Sequence, residues 1–284
     1  MVKYALIGDI HGNYKALEAF LEYIREHPVD GIIGLGDYVT DGPYPERTMD
    51  LLYGMRDRYT CYMIRGNREE YLLDNEGNRE GWKPSSANGT LYYTLQSMRK
   101  KDMEFFTSLP TEREVRIEGY PALYICHGTP GRVRGNVHWE EGLKERVMEE
   151  LTYGYLLGGH SHHRELYRME GKTYVNPGSL GLAMDGIGGH GEFAVLTGDK
   201  SGWEAELISI PYDVEGYLQA FSESGVDEAG MTLNKAVKKS LVTGVNFFLE
   251  CILAMEEEAK KEGAGSIAEL PEKVWEPLVE RFGL

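Results

Sequence analysis

The 284-residue sequence has only three cysteines, Cys61, Cys126 and Cys251, and none is spaced like a zinc knuckle or a disulfide framework. Two lie in apolar, strand-like runs, "TCYMI" and "LYICHG", where buried, inert thiols and a cytoplasmic location are expected. Basic charge is scarce as well: 30 Lys and Arg against 46 Asp and Glu leave a net charge of −16. That speaks against extended nucleic-acid binding, which needs clustered Lys and Arg. It leaves room for an enzyme that takes single nucleotides in a metal-lined cleft. No apolar run approaches the ~20 residues of a membrane span, so no membrane contact is expected. The opening "MVKYALIGDIHG" breaks at Gly8 and Asp9, too early for a signal peptide. No internal repeat or low-complexity run is visible.

What is there begins with alternating strands and helices. "KYALIG", "DGIIGLGDY" and "TCYMIRG" read as apolar strands. Between them, "NYKALEAFLEYIREH" puts Ala16, Leu17, Phe20, Leu21 and Ile24 on one helical face behind an Asn13 cap, and "PYPERTMDLLYGMRD" reads as a helix opened by prolines. This spacing predicts an α/β fold whose parallel sheet is covered on both faces. Residues 68–108 read as mostly helical, broken at "GNREGWKPSSANG", a candidate loop over the site. A hairpin around "GYP" and five closely spaced strands follow. After Pro211 the texture turns helical. Residues 1–211 are expected to form one domain and residues 212–284 a helical extension that caps the cleft or joins a homo-oligomer.

Five short segments place metal-ligand residue types at strand ends. They are "GDIHG" with Asp9 and His11, "GDYVTDG" with Asp37, "GNRE" with Asn67, "CHGTPG" with His127, and "GGHSHH" with His160 and His162. "NPGS" at 176–179 is a turn without a ligand of its own; a phosphate-approaching and a structural role are equally open. Ligands in α/β sheets bind beyond the carboxyl ends of strands. Carboxylate, imidazole and amide oxygen together suit Mn²⁺, Fe²⁺ or Zn²⁺. On an extended segment, D-x-H and H-x-H would point both side chains the same way. Seven ligands are too many for one ion, so two divalent ions sharing a bridging carboxylate are expected.

In this order the motifs resemble the calcineurin-like metallophosphoesterase superfamily, and "GDIHGNYKALEAFL" is similar to its phosphodiesterase-type branch. The resemblance covers roughly residues 1–210. It implies a four-layer α/β/β/α sandwich with a dinuclear metal centre. It also implies Asp9, His11 and His162 on one metal, Asn67, His127 and His160 on the other, and Asp37 as the bridge. The activity implied is phosphoester hydrolysis by a metal-bridging hydroxide. Two positions depart from the family. Where a His often follows the "GN" Asn as proton donor, this chain has Arg68; where the protein-phosphatase branch has an Arg, it has Asp41. An Arg keeps its proton at neutral pH but binds phosphate well. Arg68 is therefore expected to contact phosphate, and diesters or activated esters are the expected small, nucleotide-like substrates.

Local alternatives stand beside these readings. Asn67 could cap its helix, with Glu70 three residues on completing a capping box. Glu69 could orient a site group or simply favour the helix dipole. His138 and His190, in Gly-rich loops, are candidates to reach the substrate or donate a proton, and His163 is expected at the surface or behind the ligands. "VNFFLECILAM" reads as core or as a subunit contact. A Ser/Thr protein phosphatase and a non-catalytic phosphate- or nucleotide-binding regulator are the rival functions; Asp41 speaks against the first, the complete ligand set against the second.

Overall fold

The strand β1 (Val2–Ile7) is apolar on both faces, and each face meets a different partner. Ala5 and Ile7 join the cluster made with the helices, while Tyr4 and Leu6 join the cluster between two sheets. The fold follows from that doubled burial. The computed structural model describes residues 1–77, 83–184 and 187–284.

β1 pairs in parallel with β2 (Gly31–Gly34), and β2 with β3 (Thr60–Met63). On its other edge β1 pairs antiparallel with β9 (His190–Asp199), which forms a long hairpin with β10 (Gly202–Pro211). The first sheet thus has the order β10-β9-β1-β2-β3. The second contains β4 (Glu112–Val115), β5 (Leu123–Cys126), β6 (Tyr155–Leu157), β7 (Arg164–Met169) and β8 (Lys172–Pro177), in the order β4-β5-β6-β8-β7. The hairpin around "GYP" is the antiparallel β4–β5 pair.

Outside the first sheet lie α1 (Tyr14–Glu26), α2 (Pro45–Arg56), α3 (Asn67–Asp74), α4 (Gly89–Ser97) and α5 (Lys100–Ser108). Asn13 caps α1, accepting from Ala16 N at 3.0 Å, and Leu17, Phe20 and Ile24 are buried against the sheet. Each such side chain contributes about 1.5–3 kcal/mol by leaving water. Outside the second sheet, α6 (Leu143–Glu150) buries Leu143 and Met148 against Leu156 and Tyr174. The result is the expected four-layer α/β/β/α sandwich.

The segment after Pro211 forms α7 (Val214–Ser224), α8 (Val226–Thr243), α9 (Phe247–Glu262), two short 3-10 turns and α10 (Pro277–Phe282). It does not stand apart. Tyr217, Phe221 and Val237 share one apolar cluster with Tyr14, Leu182 and Met184 of the sandwich. α8 kinks at Met231, with φ 48° and ψ −125°, where Thr232 N donates to Ser86 Oγ at 3.0 Å. Gly89 fits there because a Cβ would meet Ala229 O at 1.6 Å. Of the break at 77–89, residues 78–82 lie outside the described residues; Ala87 and Asn88 line the cleft described below.

Candidate metal centre

All seven candidate ligands come together where β1, β2, β3, β5 and β6 end. The loops that carry them are laced to one another: Asp9 N donates to Gly36 O at 3.0 Å, Ile10 N and His11 N both reach Asp37 O, and Gly159 N reaches His127 O at 2.7 Å. "NPGS" belongs to this lacing. Ser179 Oγ donates to Asp9 O at 2.6 Å, and Asn176 Nδ2 to Gly159 O at 3.0 Å. The turn therefore braces the ligand loops.

The geometry corrects the expectation of extended D-x-H segments. Asp9, His11, Asp37, Thr40, Asp41, His160 and His162 all have positive φ, between 48° and 89°. They are seven of the ten non-glycine residues with positive φ among those described. The strands stop at Ile7 and Leu157, and the ligands converge through left-handed turns, not by strand alternation. Each such residue costs about 1–2 kcal/mol, and strain of this kind clusters at functional sites.

The two carboxylates are held alike. Asp9 Oδ2 accepts from His160 N at 3.0 Å and Asp37 Oδ1 from Arg68 N at 2.8 Å. Their other oxygens face inward. Asp9 Oδ1 is buried without a hydrogen-bond donor of good geometry, surrounded by Nε2 of His162 at 3.3 Å and of His11 and His127 at 4.0 Å. Asp37 Oδ2 lies 3.8 Å from His11 Nε2 and 3.4 Å from His127 Nε2. Asp9, His11 and His162 bring one ligand atom each within 4.8 Å of one another, and so do Asp37, His127 and His160. Asn67 joins the second group, its Oδ1 3.0 Å from His127 Nε2.

The imidazoles are oriented from behind. Nδ1 of His127 pairs with Leu35 O at 2.8 Å, that of His162 with Leu182 O at 2.8 Å, and that of His11 with Asp41 Oδ2 at 3.1 Å. Each acceptor holds a proton on Nδ1 and turns the Nε2 lone pair inward. Nε2 of His11 and His162 then face each other at 3.1 Å. Two lone pairs at that distance need a positive charge between them. Burial opposes a charge on His127, but Asp37 outweighs it and raises the imidazole to about 10; Asp9 raises His162 against the same burial. Burial, with the charge of His127, pulls His160 down to about 4. The donor set, the inward lone pairs and the orphaned Asp9 oxygen fit divalent cations.

Several residues that shape the site escaped the motifs. The N-cap of α3 is Gly66, and Asn67 is its first helical residue, so Asn67 is free of the capping role. Glu69, not Glu70, reaches back: its carboxylate accepts from the backbone N–H of Gly66, Asp37 and Tyr38, each at 2.8 Å. Burial and the nearby Asp37 push Glu69 up to about 7, against the pull of those three N–H groups. Gly66 is obligatory, since a Cβ would lie 2.2 Å from Asp37 Oδ1. Asp41 touches both His11 and, at 3.1 Å, Arg68 Nη2, while Thr90 donates to its other oxygen at 2.8 Å. Its sequence signal was the departure at the protein-phosphatase position.

The ligands open into a cleft of about 570 Å³, lined also by Asp41, Arg68, Arg134, Trp139 and part of the C-terminal helices. Arg68 thus faces the cleft. His138 does not line it; its ring stacks on His163 at 4.1 Å, and the loop presents Arg134 and Trp139 instead. His190 pairs with Gly188 O and is not a lining residue either.

Residues 2–201 match the calcineurin-like phosphoesterase superfamily domain. The chain belongs to that superfamily. It is a metallophosphoesterase, a hydrolase of phosphoric ester bonds, and the family is metal-dependent. An uncharacterized protein of Methanocaldococcus jannaschii is 28% identical over 227 residues, 74% of this chain and 88% of that one. The symmetrical bis(5'-nucleosyl)-tetraphosphatase of Pseudomonas fluorescens is 35% identical over 88 residues, 31% of this chain and 29% of its own. The fold is similar to a hypothetical protein from Pyrococcus horikoshii and to a metallophosphoesterase from Sphaerobacter thermophilus. Their TM-scores are 0.73 and 0.68 at 21% and 20% identity, each over 86% of this chain and 99% of the other. Among the described residues of this metallophosphoesterase, no helix is long and apolar enough to cross a membrane.

Proposed function

We propose that this metallophosphoesterase works with two divalent ions, Mn²⁺, Fe²⁺ or Zn²⁺, on diesters or activated esters of small, nucleotide-like molecules. Asp9, His11 and His162 would hold one ion, Asn67, His127 and His160 the other, and Asp37 would bridge. The observation that carries this reading is Asp37 Oδ2, 3.8 Å from His11 Nε2 and 3.4 Å from His127 Nε2, whereas Asp9 Oδ1 lies 3.3 Å from His162 in its own cluster and no nearer than 4.0 Å to His127 in the other. Two ions in such a site supply Lewis-acid polarisation of the phosphoryl oxygens and a nucleophile at neutral pH.

The chain's own residues do the rest. The N–H groups of Arg68 and His160 and the carboxylate of Glu69 fix the ligand carboxylates and loops, so little reorganisation accompanies reaction. Arg68 binds the phosphoryl oxygens and complements their charge in the transition state. Its guanidinium keeps its proton, so this position offers no general acid. His138 and His190, away from the cleft lining, do not supply one here. Ester bonds whose leaving group departs unprotonated are therefore favoured. Three free cysteines support the cytoplasmic reading. Residues 212–284 act as a cleft wall added to the domain of residues 1–211.

The test is turnover of chromogenic mono- and diesters by metal-reconstituted protein. Metal-dependent hydrolysis, stronger on diesters, with Arg68→Ala raising KM or lowering kcat, is the expected result. Metal content near zero after reconstitution would sink the dinuclear reading. Robust metal uptake without turnover on any ester would favour a phosphate-binding regulator.

A further inference from the structure

We propose that the C-terminal helices build a pocket for the organic group of the ester, and that this group is a nucleoside: a flat heterocycle on a sugar. The proposal rests on the phosphoesterase reading above and names the substrate class of the same site. The helices in question lie beyond the residues matched to the superfamily domain, 2–201.

The cleft is much larger than a phosphoryl group needs, and its composition changes along its length. At one end stand the metal ligands. Elsewhere apolar side chains, Leu91, Leu233, Phe248, Leu249 and Ile252, alternate with a few polar ones. A cavity of several hundred Å³ with apolar walls and a few polar groups is the usual form of a small-molecule site. α9 is divided to make this wall. Phe248, Ile252 and Glu256, four residues apart, line the cleft, whereas Cys251, Met255 and Ala259 are buried in the helical core. The wall is fixed in place: Ser85 N donates to Ala229 O at 3.0 Å, Gly189 N to Leu241 O at 2.8 Å, and Lys15 pairs with Asp213 at 2.8 Å.

The polar groups decide between a plain apolar body and a heterocycle. Asn246 uses Oδ1 to accept from Leu249 N at 2.9 Å, leaving its NH₂ as a donor. Asn75 uses Nδ2 to reach Tyr71 O at 2.8 Å, leaving its Oδ1 as an acceptor. Both line the cleft, as does Asn88. An acyl chain or a phenyl ring offers such amides nothing, and burying them unpaired costs affinity. A nucleobase edge offers donors and acceptors together. Arg68 and Arg134 flank the ring of Tyr71, with Cζ 5.9 and 4.4 Å from its centroid. Arg68 is paired with Asp41, while Arg134 lies over the Tyr71 ring on the cleft lining, where an anionic substrate group would meet it.

The deciding experiment is calorimetric binding of adenosine monophosphate, phenyl phosphate and methyl phosphate to the metal-reconstituted full chain, followed by kcat/KM on the matching p-nitrophenyl diesters. The nucleotide is expected to bind at least tenfold tighter than phenyl phosphate, and phenyl phosphate tighter than methyl phosphate. Ile252→Ala should narrow the nucleotide's advantage at least threefold. Ile252→Trp, which fills the pocket, should abolish it even if the alanine variant proves unstable. Leu253→Ala, on the same helix but 47% exposed and outside the lining, should leave the ranking unchanged. Equal affinity for all three phosphates, or for adenosine monophosphate and phenyl phosphate, would overturn the proposal. So would an Ile252→Trp variant that ranks them as the wild type does. Selective nucleotide binding without turnover of any ester would overturn the hydrolase reading alone and support the pocket.

Discussion

The cleft has two walls built on opposite terms. The metal-facing wall is polar, buried and strained, with most of its ligands in left-handed turns and both aspartates pinned by backbone N–H groups. The helical wall is apolar; Phe248, Leu249 and Ile252 sit in an ordinary helix capped by Asn246. Chemistry needs particular atoms at particular places, and the first wall accepts strain to provide them. A pocket for an organic group needs shape and dryness, and many side chains give those. The difference predicts that substitutions in the first wall act on turnover and metal, and those in the second on KM.

The largest effect is expected at Asp37. Asp37→Asn keeps the shape but removes the charge that faces both clusters, and should lower kcat on the order of 10³-fold. Elemental analysis should show less metal per chain. Normal turnover and full metal content would break the division between the walls at its firmest point.

Asp41→Asn comes next. Asp41 orients His11 and holds Arg68, so the variant tests a residue that acts through two others. Groups that orient metal ligands are typically worth about 10–100-fold in affinity or activity. The expected outcome combines weaker metal binding with a higher KM, because the ligand and the phosphate contact both loosen. A change in KM alone would confine Asp41 to Arg68.

Glu69→Gln should act on the fold as much as on the rate. The amide must turn an NH₂ toward at least one of the three N–H donors that now meet carboxylate oxygens. Leaving such buried donors unsatisfied costs about 1–3 kcal/mol each, read as a lower midpoint in urea. Chelation is the companion measurement. Removing cations leaves Asp9 and Asp37 buried close together, so the melting temperature should fall on chelation and recover with added metal. A melting temperature indifferent to metal would mean that protons alone satisfy the cluster.

How much could be read in the chain beforehand follows the same division. Asp9, His11, Asp37, Asn67, His127, His160 and His162 stood out because ligand chemistry restricts residue type, and glycines mark the turns around them. The alternation of strands and helices foretold a parallel sheet covered on both faces; the four layers were implied by the resemblance to the metallophosphoesterase superfamily. What stayed hidden depends on three-dimensional neighbours. Nothing local says that Glu69 reaches three N–H groups while Glu70 does not, or that Asn67 begins its helix after a Gly66 cap. The left-handed turns were hidden too, since Asp and His are common in several backbone states. "VNFFLECILAM" read as core or subunit contact because an apolar helical face looks the same whether it meets protein or ligand. Only the fold shows that one side of it faces the cleft.

The smallest expected effect is at Phe248→Leu, and it tests the helical wall most narrowly. The guanidinium carbon of Arg68 lies 5.6 Å from the Phe248 ring centroid and 5.9 Å from that of Tyr71. Leucine keeps most of the apolar surface and removes the ring's attraction for the cation. A cation–π contact at a partly exposed site is worth about 0.5–1 kcal/mol, equivalent to roughly a two- to fivefold change in an equilibrium constant. If Phe248 positions Arg68 in the ground state only, KM should rise by that factor while kcat holds. A fall in kcat of the same size would mean that the two walls are not separate, and that the helical segment reaches the transition state through Arg68.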